Sequence, residues 1–185
     1  MHVEDNMGRV LPLGANGTLT LDLGWRGGFQ QVVFTGGPYD AFPNREGDFG
    51  VCVRAERVPK GKFDLNIPIR DFDVPQCRPG FMRDMIRETF AAALADKHVY
   101  IGCMGGWGRT GLFMALLAKA AGADDPVGHV RATYTPKAVE TKKQAAYVEA
   151  FDVQGLPQDI YRLGWKRLFR VLREEVGNLL HFTRN

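Results

Sequence analysis

In VYIGCMGGWGRTGLF, residues 99 to 113, an apolar run ends on Cys103, glycines follow at 105, 106, 108 and 111, and an Arg-Thr pair opens a second apolar run. Glycines let the backbone bend tightly, and N–H groups converging just before a helix start form a nest for an anion, phosphate or sulfate foremost. The same field favours thiolate, the attacking form of a cysteine. Arg109, six residues after Cys103, returns a planar fork to the equatorial oxygens of an anion wrapped by such a loop, a match that lysine does not make. The cradle then runs through Met104, Gly105, Gly106, Trp107 and Gly108 to Arg109. Phosphorus held there faces the sulfur for in-line attack, which gives a covalent phosphocysteine. Thr110 is placed to hydrogen-bond the sulfur when it must leave.

The elements that position this loop read as an α/β protein with a mostly parallel sheet flanked by helices. Alternation in LTLDL (19–23), and the apolar runs QVVFT (31–35), FGVCV (49–53), Phe63 to Ile67 and Val99 to Gly102, predict strands, with residues 36 to 50 largely loop. Apolar positions 81, 82, 85, 86, 90, 93 and 94 predict a helix from Pro79 to Ala95, and Leu112 to Ala121 reads as a helix buried all round. A crossover helix between parallel strands brings both strand exits to one sheet edge, so Asp71, just past one exit, and Cys103, just past the next, are expected to meet there.

The pattern Cys, five residues, Arg, Thr resembles the active-site loop of the cysteine-dependent protein tyrosine and dual-specificity phosphatases, of the compact dual-specificity type. NIPIRDFDVP (66–75) is similar to that family's general-acid loop, which implies Asp71 as proton donor and later as base, with Asp73 as its rival. VRATYTPKAVETKKQAAYVEAF (130–151) resembles the segment after the active-site helix, where Gln144 matches the glutamine that positions hydrolytic water. Thr141 followed by Gln144 is also a capping box, and both roles are compatible. The family usually carries His before the cysteine; this chain has Gly102.

The resemblance implies a phosphomonoester hydrolase without metal or cofactor, acting on a phosphorylated substrate, a phosphoprotein by default. A small phosphorylated molecule, an inositol phosphate or an RNA 5′-phosphate fits the same chemistry, and a catalytically weak phosphate-binding module is the reading from another class. Trp107 stands where phosphoinositide-directed relatives tend to carry lysine. His129 and Arg131 read as ordinary helix-surface residues.

The remaining composition narrows the setting. A formal charge of +3 is too small to imply DNA as partner, and no apolar stretch is long enough to span a bilayer. The N-terminus lacks a secretory pattern, and three widely spaced cysteines without CxxC argue against a disulfide framework or zinc site, so a cytoplasmic protein with reduced thiols is expected. Cys52 or Cys77 would have to lie near Cys103 to trap it on oxidation. One domain is expected over 1–185: strands and loop in 1–60, the catalytic region in 60–152, and a C-terminal amphipathic helix in 156–185, whose apolar stripe begins 161, 165, 168, 169, 172 and whose expected task is to cover the core.

Overall fold

The computed structural model describes residues 12–25, 28–58 and 60–182. Its five-stranded sheet is built from β1 (Gly17–Trp25), β2 (Gly28–Pro38), β3 (Asp48–Cys52), β4 (Leu65–Asn66) and β5 (His98–Cys103), in the spatial order β1-β2-β5-β3-β4. β1 pairs antiparallel with β2, and every other pairing is parallel. Leu19, Leu21 and Leu23 of β1 are buried while their alternating neighbours are not, as a half-buried strand requires. The expected strand over 63–67 shrinks to two paired residues, because only Leu65 and Asn66 align with the end of β3.

Five helices follow: α1 (Pro79–Leu94), α2 (Gly108–Ala120), α3 (Pro126–Thr133), α4 (Lys142–Ala150) and α5 (Leu156–Phe182). α1 starts with proline in its first turn after an extended Arg78, the conformation that a residue before proline prefers. α2 is buried on nearly every side from Gly108 to Ala118. It begins four residues before the predicted start, so Arg109 and Thr110 are helical. Met82, Ile86 and Phe90 of α1, Leu112 to Ala118 of α2 and Phe34 of β2 share the main core, with Phe34 meeting Phe90 edge-on at 5.5 Å. Burial of such side chains stabilises by about 1.5–3 kcal/mol each. The other sheet face carries a smaller cluster of Phe42, Cys52, Phe63 and Tyr100.

α5 meets the rest of the domain on a different face from the expected stripe. Leu156 and Ile160 are buried, Asp159 accepts from Arg87 Nε at 2.8 Å, and Arg167 pairs with Asp96. Leu156, Ile160 and Leu163 thus face the core, while Tyr161 meets Trp165 edge-on, Trp165 meets Phe169 at a tilt, and Leu168 and Phe169 are exposed. The stripe positions from 172 onward lie outside the described side chains. Among the described residues no helix is long and apolar enough to cross a membrane.

The parallel strands decide where chemistry gathers. β2, β3, β4 and β5 all end at the same sheet edge, and β5 is central, with β2 on one side and β3 on the other. Their exits lead into Tyr39, Arg54 to Glu56, Asp71 and Cys103 respectively.

Candidate active site

Cys103 is the last residue of β5 and 3% exposed. The chain then turns through Met104 to Trp107 into α2. Within that turn the Gly106 N–H donates to Cys103 Sγ at 3.2 Å. Gly106 has φ +75°, and a Cβ there would lie 2.3 Å from the Gly37 carbonyl carbon, so both conformation and space demand glycine. Gly102 has a steric cause too: a Cβ on it would sit 2.8 Å from Tyr39 Cα. The short 3₁₀ turn Tyr39–Ala41 after β2 therefore occupies the space that a side chain at 102 would need.

Arg109, 2% exposed, is held in a defined orientation. Its Nη1 donates to Glu56 Oε1 and Oε2, both at 2.8 Å, and to the Ile69 carbonyl at 3.2 Å; its Nη2 lies 3.2 Å from Asp71 Oδ1. The two loops expected to meet do meet, through the arginine. Glu56 also accepts from Arg54 Nε at 3.2 Å, and the Arg54 guanidinium stacks on the Tyr39 ring at 4.1 Å. Burial pushes the Glu56 carboxyl up, but its own backbone N–H together with Arg109 and Arg54 outweigh that and hold it below the usual carboxylate range. One carboxylate thus braces two arginines.

The loop from Arg70 to Pro75 is exposed at Asp71 and Phe72. Asp71 presents its carboxylate to Arg109, whereas Asp73 is bound by Lys143 and the Val74 N–H, which together depress its pKa. Phe72 between them adopts φ +55° and is 60% exposed. The start of α4 tethers this loop: Gln144 Nε2 donates to the Asp73 carbonyl at 3.2 Å, and Thr141 Oγ1 reaches the Phe72 carbonyl at 3.5 Å. Gln144 is fully buried, and the capping box with Thr141 is formed in both directions. Its amide is engaged in the cap and the tether.

Thr110 is fully buried, and its hydroxyl has no hydrogen-bond partner among the described residues. Trp107 is 38% exposed at the rim with Lys137 Nζ 4.3 Å above its ring, and Met104 is 58% exposed. Arg131 donates to the carbonyls of Ala138 and Val139, and His129 contacts the Thr20 carbonyl, so both serve packing of α3. Cys52 pairs in register with Gly102, which puts its side chain on the sheet face opposite Cys103. Burial pushes its thiol up to about 11. Cys77 packs at the edge of the main core ahead of α1.

Glu56, Arg54, Asn16 and Tyr134 belong to this region without having drawn attention as sequence. Only Glu56 carried a signal, as a carboxylate among Arg54, Arg57 and Lys60 just beyond a predicted strand exit. Asn16 Nδ2 donates to the Gly105 carbonyl at 2.9 Å, and the Tyr134 hydroxyl donates to the Gly106 carbonyl.

No family model matches the chain. Two curated proteins of Methanocaldococcus jannaschii, "Uncharacterized protein MJECL20" and "Uncharacterized protein MJ0215", are 33% and 34% identical over 85 residues, 45% of this chain. The chain spans about half the length of these relatives, 56% and 52%. Among solved structures, Tk-PTP in its active form matches with TM-score 0.52 and 22% identity, over 72% of this chain and 95% of that one. Kinase associated phosphatase with its catalytic-site cysteine replaced by serine matches with TM-score 0.55 and 19% identity, over 76% and 94%. The α/β architecture, with its cysteine at the exit of the central strand, is therefore the fold of the protein tyrosine and dual-specificity phosphatases.

Proposed function

We propose that this protein hydrolyses phosphomonoesters through a phosphocysteine, without a metal ion. The observation that carries the reading is a pair of contacts six residues apart at one sheet edge: the Gly106 N–H donates to Cys103 Sγ at 3.2 Å, and Arg109 Nη2 lies 3.2 Å from the Asp71 carboxylate. Cys103 thiolate attacks phosphorus as the ester oxygen departs, taking the proton of the Asp71 carboxyl. Arg109 and the loop N–H groups hold the equatorial oxygens, where charge is carried through the transition state. Water then attacks the phosphocysteine, giving its proton to Asp71 and releasing phosphate and thiolate. The ion pair of Asp73 with Lys143 favours Asp71 as the acid. Gln144, on this reading, orients that water by holding the acid loop.

The default substrate is a phosphoprotein bearing phosphotyrosine. Three exposed apolar side chains, Phe72, Met104 and Trp107, lie on the two loops of the site and suit an aromatic leaving group better than an inositol ring. The test is hydrolysis of an aryl phosphate with EDTA present, in the parent, Cys103→Ser and Asp71→Asn. Turnover is expected in the parent, with a loss of about 10³-fold or more in Cys103→Ser. Turnover unchanged in Cys103→Ser, or a folded parent that binds phosphate and turns over no phosphoester, overturns the hydrolase reading.

A further inference from the structure

We propose that Asn16 and Tyr134 are positioning residues that fix two consecutive peptide planes of the loop, so that its N–H groups face the sulfur and the incoming phosphate. The inference rests on the hydrolase reading only for the identity of the anion. A trans peptide unit points its C=O and N–H in opposite directions. Gly105 O and the Gly106 N–H belong to one such unit. Asn16 Nδ2 holds that oxygen at 2.9 Å from behind the loop, and the same unit's N–H reaches Cys103 Sγ at 3.2 Å. In the next unit the Tyr134 hydroxyl holds the Gly106 oxygen, which directs the Trp107 N–H away from Tyr134. With Gly106 left-handed between them, both N–H groups turn to one side, as an anion nest requires.

Both anchors are themselves fixed. The Asn16 backbone N–H donates to the Gly36 carbonyl at 2.8 Å just ahead of β1. Tyr134 is buried against Gly36, where a Cβ would come within 2.8 Å of its ring. Burial pushes the phenol pKa well up, so it remains an O–H donor. A reversed 105–106 unit would present a carbonyl oxygen to the thiolate and phosphate, repelling both. Neither side chain touches the reacting atoms; each acts through a peptide group.

The test uses the intact chain and needs no turnover: alkylation of Cys103 by iodoacetamide, with inorganic phosphate as protecting ligand, in the parent, Asn16→Ala and Tyr134→Phe. Each variant is expected to weaken phosphate protection about ten-fold, equal to about 1.4 kcal/mol, measured well below its thermal midpoint. The kcat for an aryl phosphate should fall by at least about the same factor, since these N–H groups act more strongly in the transition state. A merely structural role would lower the thermal midpoint and leave phosphate protection of the folded protein unchanged. Protection within about two-fold of the parent in the folded variants overturns the proposal, as does a parent that phosphate fails to protect. Should Asn16→Ala not fold, Tyr134→Phe decides, because it removes one oxygen only. A parent that phosphate protects but that hydrolyses nothing, beside variants that lose protection, sinks the hydrolase reading and leaves this inference standing.

Discussion

The loop from Cys103 to Arg109 and the loop from Arg70 to Pro75 meet at one arginine yet are held by opposite means. Cys103 and Arg109 are buried, and the turn between them is anchored through backbone carbonyls by Asn16 and Tyr134. Asp71 and Phe72 are exposed, and their loop is tied down at the start of α4 by Thr141 and Lys143 at the surface and by the buried Gln144 beneath. Transition-state charge is best met by donors that do not reorganise, which demands burial and fixed peptide planes. A proton donor must approach the ester and then admit water, which a solvated, side-chain-tethered loop permits. Rigidity is concentrated at the loop proposed to hold the anion.

The harshest way to break that contrast is Arg109→Lys. It keeps the charge and discards the fork, and kcat/KM should fall by about 10²- to 10³-fold; steady-state kinetics showing less than about ten-fold would mean that a positive charge suffices. In the acid loop, Asp71→Asn should lower kcat by about 10²-fold on an alkyl phosphate and less on a p-nitrophenyl ester, whose leaving group needs no proton. Asp73→Asn should stay within about three-fold because its carboxylate serves Lys143. The reverse ranking would transfer the acid role to Asp73.

An effect smaller than that of Asp71→Asn probes the brace between the loops. Glu56→Gln should cost about ten-fold in kcat/KM by loosening Arg109. It should also change acid stability. The folded-state pKa of Glu56 is depressed, so the stability it contributes is present above the unfolded value of about 4.3 and is lost as pH falls through the folded value. Urea midpoints followed downward from about pH 5 should therefore fall less steeply in Glu56→Gln than in the parent. Parallel curves would show that Glu56 braces nothing.

What was legible in the sequence was local. The Cys103 to Thr110 spacing, the strand periodicities, Pro79 at the start of α1 and the Thr141–Gln144 cap each depend on neighbours within a few positions. α5 shows the limit of such reading: its apolar stripe was visible, but the face that turns inward carries Leu156, Ile160 and Leu163, flanked by ion pairs to Arg87 and Asp96 far away in the chain. The same holds for Gly102. Its identity was visible, while its reason, the Tyr39 backbone packed against it, is a contact between two strand exits.

The sequence by itself determined the Cys103 to Thr110 pattern that the proposed chemistry rests on and the rhythm of strand and helix, because glycine turns, periodicity and capping are fixed by residue type at short spacing. Only the tertiary structure decided which residues hold them. Asn16 lies 89 positions from the carbonyl it grips, and Glu56 lies 53 from the arginine it orients. Parallel strands collect their exits at one edge whatever their separation in the chain, and no local pattern records which side chains arrive there together.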